Sequence, residues 1–148
     1  MRAIELFDHW DEVRRDLLRA VDYLSDDELR FVPREGLWSL GQVICHVAGS
    51  EDGWLGWARG EASEGVEYRA TDYPTIGDVK GLLAGVHERT LATLRELDTA
   101  DFSREVVTPW GERCTLGWVI WHVLEHEIHH RGEIYLMIGL LGREAPEI

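Results

Sequence analysis

The chain has 148 residues, the length of one ordinary domain, enough to bury a core without disulfide or metal staples. Its 28 acidic against 15 basic residues leave a formal net charge of −13, which repels nucleic-acid phosphates and anionic membrane surfaces, so neither is an expected partner. Two distant cysteines, Cys45 and Cys114, exclude a disulfide framework, and no apolar run approaches the ~18 residues of a membrane span. With no secretory h-region after Met1, one cytoplasmic domain over residues 1–148 is expected.

In chain order, Ile4, Phe7, Trp10, Val13, Leu17, Leu18, Val21 and Leu24 recur at helical spacing and predict a first helix over 3–24. Ser25 and Glu28 read as a capping box for a short turn, and Pro33 and Gly36 mark a loop over 31–38. Ser39 with Gln42 forms a second capping box, opening a helix to about residue 59. Residues 60–74 make a long loop, and a third helix runs from Thr75 to Leu97. Around Pro109-Trp110-Gly111-Glu112, residues 98–114 suggest a small hairpin or irregular crossover. Thr115 then caps a last helix running to Leu141 and closed by Gly142. Four long helices in a chain of this size predict an all-α four-helix bundle, with the connections 60–74 and 98–114 long enough to cross over. The last helix is apolar over more than half its circumference, which predicts a homodimer interface on the face that the core does not use.

That helix also carries His122, His126, His129 and His130. Taken singly, each histidine reads as an ordinary core or surface residue. His126 and His130 stand four apart on one helical face, in line with Val119, Val123 and Met137, so both imidazoles fall in the apolar stripe. Buried imidazoles without partners cost roughly 1–3 kcal/mol each, and a shared cation satisfies both. His46, flanking the apolar stripe of the second helix, is the best third ligand; three neutral imidazoles leave an open coordination position, the arrangement of catalytic zinc. His122 reads as a fourth, alternative ligand or, preferably, a group behind the ligands, His129 as exposed or interfacial, and His9 and His87 as isolated surface residues. Cys45 faces the opposite side of its helix from His46 and is not counted as a ligand. Trp38, Trp54 and Trp57 lie close enough in sequence to wall an aromatic pocket or to pack the core. The run His126-Glu127-Ile128-His129-His130 also fits the H-E-x-x-H protease signature. Its extended form fails, because Glu133 and Leu136 stand where glycine and histidine are needed, and no sheet is evident to hold a peptide.

Trp38-Ser39-Leu40-Gly41-Gln42 leading to His46, the run from His122 through His126, His130-Arg131-Gly132 to Ile134, and the closing Leu140-Leu141-Gly142 resemble the DinB/YfiT-like superfamily over essentially the whole chain. The H-x3-H-R-G segment is the specific part, and Glu133 departs from a common glutamine. The resemblance implies a four-helix bundle with a long crossover, often dimeric through its first and last helices. It also implies a divalent cation on three histidines, carried over here to His46, His126 and His130. Members with known activity include thiol S-transferases using mycothiol, bacillithiol or glutathione, and a maleylpyruvate isomerase.

The chemistry expected of such a site is activation of a thiol by the cation for attack on an electrophile, with metal-dependent hydrolysis or a non-catalytic stress role as the alternatives. Glu127, next to a ligand, is the expected proton carrier or partner of the site, and Arg131 pairs with a substrate carboxylate or a neighbouring acid. Zinc or nickel is the expected metal, with iron, manganese and copper compatible with imidazole ligands.

Overall fold

A computed structural model describes residues 1–61 and 65–148, so part of the expected 60–74 loop lies outside the described residues. The described elements are α1 (Ala3–Leu6), α2 (Trp10–Asp22), α3 (Leu40–Ala58), α4 (Ile76–Glu96), strands β1 (Glu105–Val107) and β2 (Arg113–Thr115), and α5 (Leu116–Leu140), with 3-10 turns at Asp27–Arg30, Ala70–Asp72 and Thr99–Ser103. The four long helices α2–α5 form the expected bundle.

The caps set the boundaries as anticipated. Ser39 Oγ accepts from the Gln42 amide while Gln42 accepts from the Ser39 amide, which starts α3. Thr75 and Thr115 cap α4 and α5, and Gly142 takes the positive φ of 79° that ends α5. The hairpin pairs Glu105 with Thr115 and Val107 with Arg113 around Gly111, whose φ is 88°. The first helix differs from expectation. It breaks after Leu6 and restarts at Trp10, a turn that lets both Phe7 and Trp10 enter the core. His9 then bonds Glu12 at 2.7 Å across the first turn of α2.

α2 packs against α4 and α5, and α3 packs against the same two helices. Of the pairs consecutive in the chain, only α3 and α4 are neighbours; α2 and α3 occupy opposite corners, as do α4 and α5. The diagonal crossings are therefore made by residues 23–39 and 97–115. The second was expected, but 60–74 joins neighbours.

The core is divided. One apolar half gathers Leu17, Ile44, Leu83, Ile134 and Ile138; the other gathers Trp10, Leu55, Leu94, Leu116 and Ile120. Between them, each long helix contributes polar side chains at one level: Arg14 from α2, Glu51 from α3, His87 and Thr90 from α4, and Glu127 and His130 from α5. No described helix is long and apolar enough to cross a membrane.

Candidate metal centre

At this polar level α3 and α5 face each other. One nitrogen from each of His46, His126 and His130 lies within 4.8 Å of the other two. His46 Nε2 and His126 Nε2 stand 3.0 Å apart, and Ser50 Oγ lies 3.4 Å from the same His126 nitrogen. His46 and His126 are half-buried and His130 is 9% exposed. The i, i+4 spacing on α5 sets two of the rings on one face, and the α3–α5 packing brings the third across to them.

Behind the cluster, Glu133 Oε2 accepts from His130 Nδ1 at 2.6 Å. A carboxylate can only accept, so Nδ1 carries a proton and Nε2 is the nitrogen left for a metal ion. Burial, with His130 and His46 beside it, drives His126 down to about 3; burial and His130 lower His46 as well. His46 and His126 are therefore neutral at ordinary pH. Three imidazoles converging on one point, one oriented by a carboxylate, suit a divalent cation with an open position.

On one side, Trp38 tilts against His46 with centroids 4.7 Å apart. On the other, His122 stacks on Trp118 at 4.7 Å and meets Trp54 edge-on, with its ring 6.1 Å from His126. His122 is thus outside the nitrogen cluster, and His129 is exposed. Trp38, Trp54 and Trp57 do wall a pocket: a cavity of about 790 Å³ runs beside α3, with His46 and Ser50 in its wall. Cys45 lines the same cavity, although it is outside the nitrogen cluster. Burial pushes its thiol up to about 11, which keeps it protonated and unreactive.

Two expectations require correction. Glu127 is not beside the histidine nitrogens. It is 1% exposed and directed into the bundle, where Trp10 Nε1 donates to it at 2.8 Å and Arg14 donates from Nε at 2.8 Å and Nη2 at 2.9 Å. Position 127 lies about 100° round the helix from 126, which turns a neighbour in sequence into a different face. His87 is not a surface residue either. It is 6% exposed, with Nδ1 donating to Glu51 Oε1 at 2.9 Å and Nε2 3.6 Å from Asp11. Arg14 also donates to Glu51 and to the Leu83 carbonyl, so it joins both glutamates. A lone histidine in an otherwise unremarkable helix gives no sequence signal of such partners. Arg131 takes the plainer of its two roles, pairing with Asp16 at 3.4 Å.

Burial alone would raise the Glu51 carboxyl, but Arg14 and His87 outweigh it and hold the group below the usual carboxylate range. His46 and His126 are also lowered, so their unfolded forms protonate first. Both shifts act in one direction: stability is full above the unfolded imidazole value near 6.5 and declines as the pH falls, more steeply below the glutamate value near 4.3. The chelator-treated protein is expected to show a falling urea midpoint from about pH 6.5 downward. A flat profile between 7 and 4 would contradict this account.

Fold and geometry together define a helical bundle with a three-histidine cluster, one member of which, His46, lines a cavity. The sequence pattern of the DinB superfamily matches residues 9–134, and the chain belongs to that superfamily. Among its relatives, YfiT of Bacillus subtilis, named as a candidate metal-dependent hydrolase, is 27% identical over 87% of this chain and 82% of its own length. The YfiT structure, described as an unusual four-helix bundle, superposes with a TM-score of 0.61 at 26% identity over 89% and 85% of the two chains. YjoA of Bacillus subtilis superposes at 0.77 with 23% identity over 97% and 96%. A mycothiol-dependent maleylpyruvate isomerase shares the fold at 0.66 with 19% identity over 90% of this chain and 61% of its own. The fold is also that of the colibactin self-resistance protein ClbS, solved with double-stranded DNA, at 0.70 with 12% identity over 93% and 96%.

Proposed function

We propose that the protein is a divalent-metal-dependent enzyme that transfers a low-molecular-weight thiol to an electrophile, with His46, His126 and His130 as the metal ligands. The observation that carries this reading is the convergence of three imidazoles, one of them, His46, in the wall of a cavity large enough for a small-molecule substrate. The mycothiol dependence of the isomerase on this fold supports a thiol as first substrate, with bacillithiol and glutathione as alternatives. A second reading, hydrolysis, is supported by the description of YfiT.

His46, His126 and His130 would hold a divalent cation, which would lower the pKa of a bound thiol or water. The chain's own residues supply the rest. Glu133 holds the His130 ring in one tautomer, and the Ser50 hydroxyl beside His126 offers a hydrogen bond at the mouth of the site. Trp38 shields His46 from water on its open side. Glu127 acts in this reading by anchoring α5 through Arg14 and Trp10, not by carrying a proton. Zinc or nickel is the proposed metal, with iron and manganese next.

Elemental analysis of the purified protein beside His130→Ala tests the site. About one equivalent of metal per chain, absent from the variant, is expected. No metal in either protein after reconstitution with zinc and nickel would sink the reading. Conjugation of bacillithiol, mycothiol or glutathione to chlorodinitrobenzene, compared with ester hydrolysis, separates transfer from hydrolysis.

The homodimer belongs to the same proposal. Trp121 at 54% exposure, Ile128 at 43% and Leu136 at 64% fall on one stripe of α5, turned away from the core. Sedimentation at micromolar concentration is expected to give twice the 17.0 kDa chain mass, and Leu136→Glu to shift it toward the monomer. A monodisperse wild-type monomer would refute the dimer.

A further inference from the structure

The cavity beside His46 has a floor and a wall of different make. The floor is α3, where Gly41, Cys45, Gly49 and Gly53 recur at every fourth position and present small residues along one helical face. The outer wall is the described segment from Gly65 to Pro74. It touches α3 where the helix lacks a side chain: a Cβ on Gly49 would stand 2.7 Å from the Val66 carbonyl oxygen. Tyr68 of the wall donates to Asp52 of α3 at 2.7 Å, and Arg89 of α4 donates to the same carboxylate at 2.8 Å. Backbone contact and hydrogen bonds thus fix the wall on the helix.

The lining is rich in rings and balanced in charge. Trp38, Trp54, Trp57, Tyr68 and Tyr73 contribute five aromatic side chains. Trp54 meets Trp57 edge-on at 5.0 Å on α3, and Tyr68 meets Tyr73 edge-on at 6.0 Å on the wall. A further ring entering between such groups gains offset or edge-on contacts beyond the area it buries. Among the described lining residues, Arg30 is held by Asp27, while Arg69 and Glu67, both exposed on the wall, oppose each other in sign; Asp72 is outside the lining. An ionic ligand of either sign would lose hydration here with no net counter-charge to replace it.

We propose that this cavity binds an uncharged, planar aromatic molecule, held between α3 and the Gly65–Pro74 wall with its ring among the tryptophans and tyrosines. The proposal names the class of the electrophilic substrate proposed above and rests on that reading only for placing the reacting atom at the histidines; binding of the ring does not require the metal.

Isothermal titration calorimetry tests it with four probes of one shape: 2-naphthamide, 2-naphthoate, 2-naphthylmethylammonium and the saturated decahydronaphthalene-2-carboxamide. In protein dialysed against a chelator, 2-naphthamide is expected to bind at least about tenfold more tightly than each of the others. The protein as purified is expected to bind it equally well. Trp38 is 47% exposed, so Trp38→Leu folds, and the loss of one ring is expected to weaken the amide about threefold or more. A Cβ on Gly53 meets the Val66 amide nitrogen at an ordinary 3.5 Å, so Gly53→Leu places a side chain in the cavity and is expected to abolish binding. Either ion, or the saturated amide, binding as tightly as 2-naphthamide would overturn the proposal, as would no saturable binding or binding that neither variant weakens. Binding to the protein as purified but not to the chelated protein would overturn it too, because the metal and not the cavity would then hold the amide, and the metal reading would stand.

Discussion

Replacing Arg14 with methionine is expected to destabilise the protein by about 3–5 kcal/mol, enough to lower the folding equilibrium constant by two to nearly four orders of magnitude. The guanidinium is 4% exposed and satisfies two carboxylates, Glu51 and Glu127, that are each 1% exposed. Without it, two negative charges remain buried with His87, Thr90 and Trp10 as donors, and at least one carboxyl must take up a proton. Urea unfolding at pH 7 measures the loss. The triple variant Arg14→Met, Glu51→Leu, Glu127→Leu removes both charge signs together and is expected to recover most of it, because replacing a buried ion network by apolar side chains is often neutral or better. A single Arg14→Met variant within 1 kcal/mol of wild type would show that the network is hydrated and contributes little.

Glu133→Ala is expected to weaken metal binding by about 10- to 100-fold, the usual effect of removing a carboxylate that orients a histidine ligand. Glu133 is partly exposed, so the substitution leaves the core untouched, and the change appears in metal affinity rather than in chelated-state stability. Glu133→Gln retains an oxygen acceptor for the His130 Nδ1 proton and is expected to stay within a few-fold of wild type. Competition against a chromogenic zinc chelator reads both values. An alanine variant with wild-type affinity would mean that packing alone orients the His130 ring.

The caps and the histidine pair were legible in the sequence because their signals are local. Ser39-Gln42, Thr115 and Gly142 act within a turn, and His126 and His130 are one turn apart. The break near Phe7 was hidden because Phe7 and Trp10 keep helical spacing through it. The polar layer was hidden for the opposite reason. Arg14 meets Glu127 across 113 residues and Glu51 across 37, so neither partner predicts the other. His87 and Glu127 were misread on the same ground: each takes its role from a helix that the local sequence does not mention.

The diagonal order of the helices also bears on how the chain reaches this structure. Only α3 and α4 can pair as a local hairpin of helices; α2 and α5 must each dock across a longer span, at a greater loss of chain entropy. The α3–α4 hairpin is accordingly the natural nucleus, and it already carries His46, Glu51 and His87. His126, His130 and Glu127 arrive with α5, which packs on both α3 and α2. The polar layer and the histidine cluster are thus closed by the same late event, and a chain arrested before it would hold half of each.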